Sequence, residues 1–170
     1  MPKPGDHPEF FRFPAPAGRS RESQIRLDAN GRFWLAGEPV VHPKMQQAFT
    51  RWIRRHPDDG RIVLSNGYDW TYIEVDDAPF FVTSVSEKLG RLTLTLSDGD
   101  QEALQPSHQL HWRPANGALY CCVKNGEFDA RFMAQAQAGL GPWLHSLGED
   151  RYELRSGDLV IPIRVDSAAV

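Results

Sequence analysis

The sequence is short of cysteine, of long apolar runs and of surplus basic charge. Its two cysteines, Cys121 and Cys122, are adjacent; they leave no material for a disulfide framework and fit a reducing compartment. No apolar run approaches the ~20 residues of a membrane-spanning helix. The start, Met1 to Asp6, lacks the apolar core of a secretory signal, so the expected location is cytoplasmic. A formal net charge of −3 argues against a polycation for nucleic acid or anionic lipid. Neither a Gly-x-Ser-x-Gly elbow nor a phosphate-gripping loop nor a dinucleotide fingerprint occurs, and the glycines mark hairpins instead. What is present is 41% hydrophobic and 11% aromatic residues, enough for one full domain or two small ones.

The first 23 residues are rich in Pro, Gly and charge and read as a flexible arm. Order begins at Ile25–Leu27, and Asn30-Gly31 turns the chain into Phe33–Leu35. Pro43 suits a first helical position. Met45, Ala48, Phe49, Trp52 and Ile53 then recur at helical spacing on one face, and Pro57 ends the helix. The basic residues Arg51, Arg54, Arg55 and His56 fall on the opposite side and in the last turn, either as a solvated face that complements the helix dipole or as a site for a phosphate or an acidic partner. Strands are expected over 61–65, 70–75, 79–86 and 92–96, the last alternating strictly between Leu and Thr. Beyond a break at 97–106, strands are expected at 110–112, 118–123 and 127–131. A helical stretch carries Phe132, Ala136, Leu140, Trp143 and Leu147, bent or broken at Gly141-Pro142. Strands at 151–155 and 158–165 close the chain.

The halves can be laid over each other. Asn30-Gly31 corresponds to Asn116-Gly117, and the segment Arg61 to Gly67 to Arg151 to Gly157. Each half reads as hairpin, helix, hairpin. The expected fold is therefore α+β, a duplicated ββ-α-ββ-like unit: two lobes of antiparallel hairpins, each covered by one helix. The expected boundaries are an arm at 1–23, an N-terminal lobe at 24–97 and a C-terminal lobe at 107–170, with a ligand crevice between lobes.

The box Val75-Asp76-Asp77-Ala78-Pro79-Phe80, preceded by Ile73, resembles the V-E-D-A-P-F hallmark of a bacterial domain-of-unknown-function family, the one numbered twelve eighty-five. Gly37-x-Pro39, Pro43 and Phe49 match its helix entry. The stretch Glu127-Phe128-Asp129-Ala130-Arg131-Phe132 resembles the segment before its second helix. Asp76 replaces the usual glutamate, and Asp69-Trp70 replaces a frequent glutamate-lysine pair. The resemblance implies a two-domain protein with repeated motifs and a part in ligand sensing or signal transduction. It implies no catalytic residues.

Four residues are candidate ligand contacts. Trp70, beside Asp69 and Tyr72, is expected half-exposed and able to stack on a ligand. Asp77 either accepts backbone N–H groups at the turn before Pro79 or faces a ligand. Arg131, next to a helix start, suits a carboxylate or phosphate. His111 forms His108-x-x-His111 with His108, but on an extended segment the two face opposite sides, so no metal site is assigned. Catalytic residues and cofactors are likewise not assigned. The favoured expectation is a non-enzymatic binding module for a small molecule or a protein partner. The alternatives are a hydrolase using Asp77 and His111, and an assembly module acting through edge strands around Leu92–Leu96.

Overall fold

Asp28 shows how the chain makes its first hairpin. Its Oδ1 accepts the N–H groups of Asn30 and Arg32, both at 2.9 Å, and its Oδ2 accepts Trp34 Nε1–H at 2.9 Å. Burial pushes this carboxyl up, but the N–H donors of Arg32, Trp34 and Asn30, with the charge of Arg26, outweigh it and hold the pKa below its ordinary value. The carboxylate thereby ties β1 (Ile25–Leu27) to β2 (Phe33–Leu35) in antiparallel register.

The computed structural model describes residues 1–167, which divide into two compact units, residues 1–79 and 80–167. In the first unit, β3 (Glu38–Pro39) completes a meander with β1 and β2. Helix α1 (Pro43–Trp52) comes next, then a second meander of β4 (Ile53–Arg55), β5 (Ile62–Ser65) and β6 (Trp70–Tyr72). Strand β7 (Glu74–Val75) returns to lie parallel to β1. The helix starts at the predicted proline but stops earlier than its periodicity suggests. Ile53, only 1% exposed, leaves it to pair with Leu64, so packing overrides the helical pattern. Of the basic cluster only Arg51 lies in the last helical turn; Arg54, on β4, caps this end, its Nη1 donating to the carbonyls of Arg51 and Ile53, while Arg55 donates to the Gly60 carbonyl.

The second unit is a nine-stranded sheet among the described residues. Its first three strands are β8 (Phe80–Lys88), β9 (Arg91–Leu96) and β10 (Gln101–Ala103). A meander of β11 (His111–Arg113), β12 (Ala118–Val123) and β13 (Phe128–Phe132) leads to α2 (Ala134–Gly139). A last meander holds β14 (Leu144–Gly148), β15 (Arg151–Ser156) and β16 (Leu159–Val165). The order is β10-β9-β8-β13-β12-β11-β16-β15-β14, with β8 parallel to β13 and β16 parallel to β11. The fold is α+β, as expected. Both units contain the run meander, helix, meander, and in both the closing strand lies parallel to the first strand of the earlier meander.

Three sequence expectations are corrected. Residues 80–96 do not belong with the N-terminal lobe: Phe80, Phe81 and Val82 pair with Ala130, Arg131 and Phe132, which commits β8 and β9 to the second sheet. Leu92–Leu96 is no edge strand, because β9 is flanked by β8 and β10; Leu92, Leu94 and Leu96 are 0–1% exposed. Residues 1–23 are not a loose arm, since Phe10 is buried against Val63 and Trp70. The second helix is also shorter than its stripe, for Gly141-Pro142 breaks it and Leu147 lies on β14. No helix among the described residues is long and apolar enough to cross a membrane.

Leu154 is fully buried in the centre of the β14–β16 meander, opposite Leu144 and Ile161. Leu154→Ala is expected to cost about 2–5 kcal/mol of unfolding free energy. Leu89→Ala, at a fully exposed turn position, is expected to stay within about 0.5 kcal/mol. Urea unfolding of both variants checks the contrast.

Candidate binding site

Helix α2 decides what the second sheet leaves open. Its sequence, Ala134-Gln135-Ala136-Gln137-Ala138-Gly139, is six residues long. Ala136 and, just beyond the helix, Leu140 anchor it, being 2% and 0% exposed. Gln137 pegs it to the sheet: Oε1 accepts Leu119 N–H at 2.9 Å and Nε2 donates to Gly117 O at 3.1 Å. Ala134 and Ala138, four apart on one side of the helix, present only methyl groups. The space they do not fill is a cavity of about 560 Å³. Its far wall is Trp112, Leu119 and Ile163, and its rim is Leu144, Tyr152 and Gly141. The lining is predominantly apolar, and the amide of Gln137 is already spent on the backbone. The arrangement suits a compact apolar body; a volume of 300–1,000 Å³ is usual for small-molecule pockets.

The opposite face of the same strands is polar. The registers place Arg164, His111, Tyr120 and Arg131 in one cross-strand row, and such partners share a face. Two candidate residues, His111 and Arg131, thus flank the same tyrosine. His111 stacks on Tyr120 at 5.4 Å between ring centres, with Arg113 over that ring at 4.0 Å. His111 Nδ1 lies 2.9 Å from Asp166 Oδ2, so Nδ1 carries the proton and Nε2 is the basic nitrogen in the neutral ring. Burial pushes Asp166 up, but the hydrogen bond and charge of His111, with Arg164 and Arg113, outweigh it and leave its pKa below the ordinary value.

The other two candidates lie in the first unit. Trp70 is not half-exposed but 6% exposed, covered by Phe10 and by Arg21, whose guanidinium lies 4.3 Å from the ring centre. Asp77 is half-buried at the bend before Ala78-Pro79, while its neighbour Asp76 pairs with Arg26. Neither lines the first unit's cavity of about 360 Å³, which is bounded by Ser23, Gln24, Ile25, Arg26, Trp34 and Glu74 among others. The carboxylate partner of His111 within its own unit is Asp166, not the Asp77 of the hydrolase alternative. His108 takes a separate partner, Glu102, at 2.9 Å, so His108 and His111 share no ligand. Burial pushes the Cys121 thiol up, and burial with the charge of Asp129 raises that of Cys122. Neither thiol is poised as a thiolate.

The residue that sequence reasoning misses is Trp112, whose strand position reads as core like that of the other tryptophans. The available signal is its place opposite Leu119 across the Asn116-Gly117 turn, on the face that an alanine-rich helix has to cover.

The sign of the Asp166 shift sets a pH dependence. A carboxyl held low in the folded state adds stability above its unfolded value of about 3.9, and loses it as pH falls through the lower folded value. Asp166→Asn should therefore be less stable than the parent at pH 7. In urea unfolding across pH, that gap should narrow once the pH drops below about 4.

No family model and no curated protein matches the chain. Two solved structures do. A DUF1285 family protein from Silicibacter pomeroyi matches with a TM-score of 0.66 at 22% identity, over 91% of this chain and 92% of that one. A DUF1285 family protein from Shewanella baltica matches with a TM-score of 0.51 at 15% identity, over 68% of this chain and 87% of that one. The chain has the fold of these DUF1285 proteins, the same family that its Val75–Phe80 box resembles.

Proposed function

We propose that the protein is a non-enzymatic binding module that takes a small molecule with an apolar body into the cavity under α2. The observation that carries this reading is the lining of that cavity: an indole, three aliphatic side chains and two alanine methyls around about 560 Å³. Filling it removes apolar surface from water on both partners, at about 25 cal/mol per Å². No polar group has to be stripped of a partner, because Gln137 is held by Leu119 and Gly117. Tyr152, 42% exposed at the rim, is placed to meet the polar end of such a ligand. A sensing role is consistent with this position: a ligand wedged between α2 and β15–β16 bears on both elements, and α2 is anchored by few residues. The unit-by-unit match of Asn30-Gly31 with Asn116-Gly117, each between the first two strands of a meander, supports an origin by duplication.

Octanol and octanoate are suitable probes, one neutral and one anionic. At about 100 times its dissociation constant a ligand adds about 2.7 kcal/mol, a rise of several degrees in Tm for a chain of this size. Ala138→Phe, which fills the cavity from the helix side, is expected to weaken that binding at least about tenfold while leaving Tm within a few degrees. Thermal-shift and calorimetric titration decide the matter: no response to either probe, or equal binding by the variant, refutes the reading.

A further inference from the structure

In the first unit Phe10, Val63 and Trp70 form a buried cluster of their own, with Phe11 and Tyr72 packed on it. Two of these rings come from the N-terminal segment, which carries no strand. Phe10 is 5% exposed. The Phe11 ring lies 5.7 Å from Trp70 and 5.9 Å from His56, and its carbonyl accepts His56 Nε2–H at 3.0 Å. His56 Nδ1 accepts Asp58 N–H at 3.2 Å, which sets that tautomer. Arg12 pairs with Asp58 at 3.1 Å. Farther up, Gly5 N–H donates to Gly67 O at 2.8 Å. The segment is thus a plug, held by rings, one charge pair and isolated main-chain bonds rather than by a ladder.

An exposed, irregular stretch lies on the C-terminal side of the plug. Residues 13–20 are exposed apart from half-buried Ala15, and contain Pro14, Pro16 and Gly18. Arg21 stands at its far end, with Nη2 donating to the carbonyls of Phe13 and Pro14 and Nη1 to Asp69 and the Trp70 carbonyl.

We propose that the face of β4–β6 under residues 3–12 is a docking surface whose occupant in trans is the same segment of a second copy, exchanged about the 13–20 hinge. The seat fits that occupant in shape, two adjacent rings against Val63, Trp70 and His56, and in charge, Arg12 against Asp58. Leaving the seat breaks no sheet ladder, and the interactions that the plug gives up within its own copy are remade in the other. The two forms then differ mainly in the hinge and in the cost of association, so concentration selects between them. Pro14 and Pro16 fix φ at two positions of the hinge and so narrow the conformations open to it in either form.

The test uses full-length chains with charge reversals at two exposed positions. Arg12→Asp mismatches a plug with its seat, and Asp58→Arg mismatches a seat with its plug. Each variant alone carries the same mismatch in its closed and its exchanged form, so its dimer fraction in light scattering should be no higher than that of the unaltered chain. Mixed, they restore both charge pairs only by exchange, and the dimer fraction should rise at least about tenfold over either variant alone. The unaltered chain should dimerise with concentration, and an excess of a synthetic peptide of residues 1–16 should suppress it. A mixture no more dimeric than its components overturns the proposal, as does a dimer of the unaltered chain that the peptide leaves intact.

Discussion

The controlling constraint in the second unit is a mismatch of size. A nine-stranded sheet presents Trp112, Leu119 and Ile163 on one face, and the helix after β13 is six residues long and half alanine. Such a helix can be anchored by Ala136 and Leu140 but cannot bring enough side-chain volume to fill the space above the tryptophan. A longer helix with leucines at 134 and 138 would close the core and gain stability by the ordinary rule of interior packing. The glycines and proline at 139–142 prevent the length, and the alanines prevent the volume. Both features are written into one short stretch of sequence, and the binding reading rests on them.

The first unit solves a similar problem differently. Its three-stranded sheet β4–β6 is covered on the Phe10 side by the N-terminal segment, not by a regular element. Trp70 is consequently interior, with Arg21 stacked over it and the Nε1–H left without a partner. A tryptophan expected to meet ligands instead meets the chain's own phenylalanines. The chemistry is that of a recognition surface, but the occupant is internal.

Much of the fold is legible because the sequence punctuates its hairpins. Asn30-Gly31, Asn116-Gly117 and Asn125-Gly126 mark turns, and the strict Leu/Thr alternation of 92–96 marks a strand whose alternate residues are buried. Pro43 marks a helix start. The rest is decided by contacts distant in the chain. Ile53 continues a helical stripe yet becomes strand because Leu64 waits for it. Gln101–Ala103 is polar and looks like loop, yet it pairs with Thr93–Thr95. Phe10 lies in a proline-rich stretch whose composition hides its burial. Of the candidate ligand contacts, His111 and Arg131 do share a row, a register that only the pairing of β11, β12 and β13 reveals. Trp70 and Asp77 belong to the other unit. The cavity-lining Trp112 is marked in the sequence only by its place opposite Leu119 across the Asn116-Gly117 turn, because a pocket is a property of what the helix fails to fill.

Nuclear Overhauser effects between octanoate chain protons and assigned side-chain methyls locate the ligand. A molecule seated under α2 gives cross-peaks to Leu119, Ile163 and the methyls of Ala134 and Ala138. Cross-peaks confined to methyls elsewhere, such as Val63 in the first unit or Val160 on the outer face of β16, would contradict that placement.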